Sequence, residues 1–141
     1  MLRQAHIPKP IQDIAAQQHG TTLLKYFYHK ARQSDDYGQV MEEDFRYPGP
    51  KAQFKEAAII GIADAVEAAV RSIGRPTPVR IESLVHKIIQ DRLEDGQFDE
   101  CDLTLKELDM IGKSMLETLQ GIFHQRIEYP EEVHVKGAKQ A

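Results

Sequence analysis

One cysteine, Cys101, is the only thiol in the 141-residue chain, which excludes an internal disulfide framework and fits a reducing compartment. It reads as an inert small residue rather than a nucleophile. Positive charge is not in excess: 18 Lys and Arg stand against 22 Asp and Glu, for a formal net charge of -4. That balance argues against a broad electrostatic footprint for a nucleic-acid polymer or an anionic membrane, so any phosphate-bearing ligand must be caught locally. No apolar run approaches the roughly eighteen residues that cross a bilayer, and the N-terminus has no basic segment leading into an apolar stretch as a signal peptide would. The chain as given is therefore expected to be soluble and cytoplasmic. Internal repeats are missing too, and no alternation is long enough to make a sheet.

What remains is a 41% hydrophobic, 28% charged sequence, enough for one domain with one core. Its apolar residues recur at helical spacing, and the expected fold class is all-α with about five helices. The first runs from Pro10 to Gln17, with the proline in the first turn, and is interrupted by Gly20. Thr21 or Thr22 is placed to cap a second helix ending near Arg32, whose Leu23, Leu24, Phe27, Tyr28 and Ala31 read as a core-facing stripe. Periodicity vanishes from Ser34 to Pro50, a long loop of the kind that often carries function. A third helix spans about Ala52 to Ile73, its broad apolar face rich in alanine. Gly74 stops it, Thr77-Pro78 opens a fourth that lasts until Gly96, and Thr104-Leu105-Lys106-Glu107 has capping-box spacing for the fifth, which carries Leu108, Ile111, Met115, Leu119, Ile122 and Phe123. Residues 131–141 read as a polar tail after a domain of residues 1–130.

Few residues offer chemistry. His19 sits at the end of the first helical segment, where a lone histidine is most often a cap or a surface group. Asp64 shares its helix face with Ala57, Ile60, Gly61 and Ala68, so a desolvated carboxylate is expected there, held by a metal or by an arginine such as Arg71 or Arg92. Glu67 is either a second acid or a solvated flank. In the loop, Arg46 and Lys51 are candidates to meet phosphate and Tyr47 to stack on a base, although most such loops only pin a long connection to the core. Asp99-Glu100-Cys101-Asp102 lacks the alternating ligands, central glycine and distal glutamate of a calcium loop, and reads as a solvated turn. The remaining histidines show no ligand spacing.

Four segments together resemble one family. They are Gln17-Gln18-His19-Gly20-Thr21-Thr22-Leu23-Leu24-Lys25-Tyr26-Phe27-Tyr28, the loop Asp44-Phe45-Arg46-Tyr47-Pro48-Gly49-Pro50-Lys51, the helix from Glu56 through Ala63-Asp64-Ala65-Val66-Glu67-Ala68-Ala69, and Asp91-Arg92-Leu93-Glu94-Asp95-Gly96-Gln97. In this order, from about Ala5 to Pro130, they resemble the HD domain of the bacterial seven-transmembrane HD hydrolases, the PgpH type. The resemblance implies the C-terminal part of an HD helical bundle and a cytoplasmic domain whose complete relatives are membrane-anchored. It also implies a site with two divalent transition metals, iron or manganese, that cleaves cyclic di-AMP to a linear dinucleotide. By position, His19 matches the second histidine of the family's His-His-Gly-Thr motif and Asp64 its late aspartate ligand.

Two departures qualify the expectation. Gln18 stands at the first histidine of that pair, and an amide is a poor ligand for such metals. The family's earlier histidine, its His-Asp pair and a further histidine would all precede Met1, so no catalytic residue is assigned and the chain is expected to be inactive alone. Apolar faces left without partners predict self-association, or association with the N-terminal half of the domain. The rival readings are a catalytically dead helical module that binds a nucleotide or a protein, which Gln18 favours, and a fragment without independent function.

Overall fold

The computed structural model describes residues 6–124. Five α-helices follow one another, α1 Lys9–Gln17, α2 Lys25–Gln33, α3 Lys55–Ser72, α4 Pro78–Glu94 and α5 Leu105–His124, with a 3-10 turn at Glu42–Phe45 between α2 and α3. The all-α expectation holds. Among the described residues, extended pairing is limited to one isolated antiparallel bridge, Leu23 with Arg46, and no helix is long and apolar enough to cross a membrane. The expected polar tail of residues 131–141 lies outside the described residues.

The caps read from the sequence explain where the long helices begin. Thr77 accepts a hydrogen bond from the Arg80 amide at the start of α4, with Pro78 in the first turn, where its missing N–H leaves nothing unsatisfied. At α5 the capping box closes in both directions: the Glu107 amide donates to Thr104 Oγ1 at 3.2 Å and the Thr104 amide to Glu107 Oε2 at 2.9 Å. The same glutamate accepts from Lys55 Nζ at 2.6 Å, which ties the start of α5 to the start of α3. Helix α3 begins at Lys55, a few residues later than its apolar pattern suggested, because Phe54 is still extended.

The core is assembled on α3. Ala57, Ala58, Ile62, Val66 and Val70 are buried against Ile81 and Val85 of α4 and Leu108 of α5, with Ala52 and Phe98 closing the ends. Helix α1 also packs on α3, and Gln17 Oε1 accepts the Gln53 amide at 2.9 Å, fixing the end of α1 to the chain that enters α3.

Two expectations about α2 are corrected. Neither threonine caps it: Leu24 occupies the N-cap position without a side-chain bond, Thr22 Oγ1 donates back to the His19 carbonyl, and Thr21 Oγ1 accepts from Gln97. Nor is α2 core-facing. None of its residues is buried, and Phe27 is 57% exposed. Its principal packing partner is the 3-10 turn, which leaves the stripe half-covered at Tyr28 and Ala31 and bare at Phe27.

Candidate functional site

The turn after α1 presents His19. Gly20 takes φ +55°, a left-handed conformation that side chains with a Cβ seldom adopt. There is no space for one in any case, since a Cβ at Gly20 would lie 2.4 Å from Gln97 Oε1. The turn closes on itself through Gly20 N to Gln17 O at 2.9 Å and Thr22 N to His19 O at 3.2 Å. It also presses on α3: a Cβ at Gly61 would meet the Gln18 carbonyl oxygen at 2.3 Å. Glycine at position 61 therefore permits this approach, and the next turn of α3 carries Asp64 to His19.

His19 Nδ1 and Asp64 Oδ2 stand 4.0 Å apart. A divalent cation with ligand bonds of about 2.1 Å spans up to about 4.2 Å between two donors, so the separation suits two ligands of one ion better than a direct hydrogen bond. The imidazole is further held by Tyr47, whose ring stacks on it with centroids 4.4 Å apart and planes inclined by 11°. The tyrosine thus packs on the histidine, a contact that its loop position did not reveal.

Asp64 was expected to be desolvated, and here the structure corrects the sequence. Its side chain is 53% exposed, because Ile60 and Ala68 on the same face are themselves exposed and no described element covers them. The carboxylate keeps its water and needs no arginine: Arg71 pairs with Glu67 at 3.2 Å, while Arg92 acts on Asp64 only through space. Glu67 is thereby a solvated flank.

Arg46 anchors the site from below. Guanidinium has five N–H donors, and all are used within the fold: Nε and Nη2 to Glu42, Nη1 to the Thr21 carbonyl and to Asp95, and Nη2 again to Asp95. The bonds it donates to Asp95 and Glu42 raise the Arg46 pKa, and Arg46 in turn holds the Asp95 carboxyl below its ordinary value. Asp95 also accepts from Gln97 Nε2 at 2.8 Å. Gln97, 3% exposed, completes the clamp: its Oε1 accepts the Thr21 amide and its Nε2 donates to Thr21 Oγ1, both at 3.0 Å. Lys51 lies over the neighbouring turn, its Nζ 3.9 Å from Asp99 Oδ2, and does not join the His19 and Asp64 pair.

The structure thus brings His19, Asp64 and Tyr47 together, turns Arg46 into a brace, and leaves Lys51 at the α4–α5 turn. Sequence reasoning gave no role to Gly61, Asp95 or Gln97. The available signal was weak: a helix-stopping glycine flanked by two polar side chains. Among the described residues no group of three or more His, Cys, Asp or Glu side chains converges on one point, so the pair fits part of a metal's ligand set and not the whole of it.

No family model matches the chain. It is 64% identical over 131 residues to the cyclic-di-AMP phosphodiesterase PgpH of Bacillus subtilis and 54% identical over 132 residues to that of Listeria monocytogenes, covering 93% and 94% of this chain and 18% of each relative. A solved structure of the Listeria PgpH HD domain in complex with cyclic-di-AMP superposes with a TM-score of 0.82 at 54% identity, over 86% of this chain and 56% of that one. The chain therefore spans about a fifth of the curated relatives and little more than half of the solved domain. Identity above one half across nearly all of its residues, on the same helical fold, matches the chain to part of a PgpH HD domain.

Proposed function

We propose that this chain contributes part of a divalent-metal phosphodiesterase site that opens a cyclic dinucleotide, cyclic di-AMP, to its linear form. The observation that carries this reading is the meeting of one imidazole and one carboxylate, His19 and Asp64, from separate elements at 4.0 Å. The relatives' printed activity and the cyclic-di-AMP bound to the solved neighbour supply the substrate class.

His19 and Asp64 would hold the metal, iron or manganese, through donors that such ions accept. When bound, two such ions lower the pKa of a water nucleophile and neutralise charge on the attacking and leaving oxygens. The chain's own task is orientation. Tyr47 fixes the plane of the imidazole, Gln97 and Arg46 lock the Thr21 backbone that follows it, and Gly61 sets how near α3 brings the carboxylate. A dinuclear centre takes more donors than this pair, and the rest of the HD domain would provide them, on the cytoplasmic side of a membrane-anchored protein.

The test is cleavage of cyclic di-AMP with manganese, followed by chromatography of the linear product, for the chain alone and mixed with the complementary part of a PgpH HD domain. The expected result is no turnover alone, turnover in the mixture, and loss of it in His19→Ala and Asp64→Ala. Undiminished turnover in either variant would overturn the ligand assignment. A second reading is favoured by Gln18, an amide where the resembled motif has a histidine: a catalytically silent module that still binds the nucleotide. Activity that appears only in Gln18→His would select it.

A further inference from the structure

A cleft of about 550 Å³ opens beside the His19 and Asp64 pair, between the start of α2 and the facing sides of α3 and α4. Ala65, next to Asp64 in sequence, lines it together with Lys25, Asp91 and Arg92. Three cations border the cleft, and two are engaged. Lys25 bonds Asp91 at 2.8 Å, and Arg46 has no N–H left to give.

Arg92 differs. Its side chain is half-buried, burial lowers its pKa, and Asp64 and Asp95 reach it only as charges at a distance. Among the described residues it forms no ion pair or hydrogen bond, none of its nitrogens is both buried and unpartnered, and it lines the cleft. Nη1 lies 3.3 Å from where a Cβ on Gly61 would be, directly beneath the turn of α3 that bears Asp64. A half-buried guanidinium with no bonded carboxylate keeps its donors for a ligand, and a planar fork lining an open cleft matches the oxygens of a phosphodiester.

We propose that Arg92 is the phosphate-binding residue of this chain, drawing a phosphodiester of the dinucleotide into the cleft beside the metal ligands. This assigns to Arg92 the task that the sequence suggested for Arg46. The location beside a metal rests on the reading of His19 and Asp64 above; the capacity to bind a phosphoryl group does not.

The experiment is NMR of the ¹⁵N-labelled chain without metal, following the arginine Nε–Hε signals during titration with inorganic phosphate, cyclic di-AMP and acetate. The Arg92 signal should move saturably with phosphate and the dinucleotide and much less with acetate. Arg92→Gln should weaken binding by roughly tenfold or more, as expected for loss of hydrogen bonds from a charged donor, Arg92→Lys by less, and Lys25→Gln little. No saturable movement, an equal response to acetate, or unchanged affinity in Arg92→Gln would overturn the proposal, and the titration of the native chain decides even if that variant fails to fold. Paramagnetic broadening of the His19 ring by manganese tests the ligand pair separately. Broadening without a phosphate response at Arg92 removes this inference alone, while the reverse result keeps the anion site and removes the metal reading.

Discussion

Gln97 shows how much one amide can hold. It is buried and serves Thr21 twice and Asp95 once, so Gln97→Ala strands the part-buried Thr21 amide and should cost about 1–3 kcal/mol in a urea melt. Gly61→Ala forces a methyl group against the Gln18 carbonyl and should cost about 1–3 kcal/mol by overpacking. Its distinguishing mark is a weakened manganese effect on His19, since the carboxylate moves away from the ring. Serine at Gly74, where nothing lies within 4 Å, is the control that should change neither quantity. At this scale the motif singled out His19 and Asp64, which the fold brings to 4.0 Å, while nothing in the sequence showed the contacts that Arg46 and Tyr47 make. Two of the three partners of Arg46, Thr21 and Asp95, lie 25 and 49 residues away, and a side chain in an aperiodic loop carries no sign of whether it faces a ligand or its own fold.

Among the elements, α5 has the most explicit start signal and a matching sensitivity to acid. Hydrogen bonds from Lys55 and then from Thr104 depress the Glu107 pKa from 4.5 to about 2. A depressed carboxyl contributes stability above its unfolded pKa and loses it as protonation proceeds in the fold. The urea midpoint should therefore hold above about pH 4.5 and fall as the pH is lowered toward about 2, a decline that Glu107→Gln should flatten when followed by circular dichroism. Helix α2 teaches the opposite lesson. Its stripe of Leu24, Phe27, Tyr28 and Ala31 identified a face that wants cover, and the pattern was correct as geometry. Periodicity does not say whether the described chain supplies that cover, and here Phe27 and Tyr26 remain exposed.

For the molecule as a whole, the exposed apolar residues of α2 together with Ile60 and Met110 predict association at high concentration. Sedimentation should show concentration-dependent oligomers, reduced in Phe27→Ser and Met110→Gln and suppressed by the complementary part of a PgpH HD domain; a monomer at all concentrations with a sharp melt would contradict it. The five-helix order, the capped starts of α4 and α5 and the glycine stops were all readable, because they rest on chemistry within a few residues. The clamp around His19 was not, because it joins segments from three regions of the chain.

That clamp also sets which parts of the chain loosen together. Arg46 rivets the backbone at Thr21, the turn at Glu42 and the end of α4 at Asp95 into one body, whereas α2, threaded between the first two, buries none of its residues. Deuterium should enter the amides of α2 through brief local openings, while the Thr21 amide, sealed by Gln97, should stay protonated until the entire body comes apart. On that outcome the imidazole is carried by the part of the chain that opens last, a short distance from the helix that opens first.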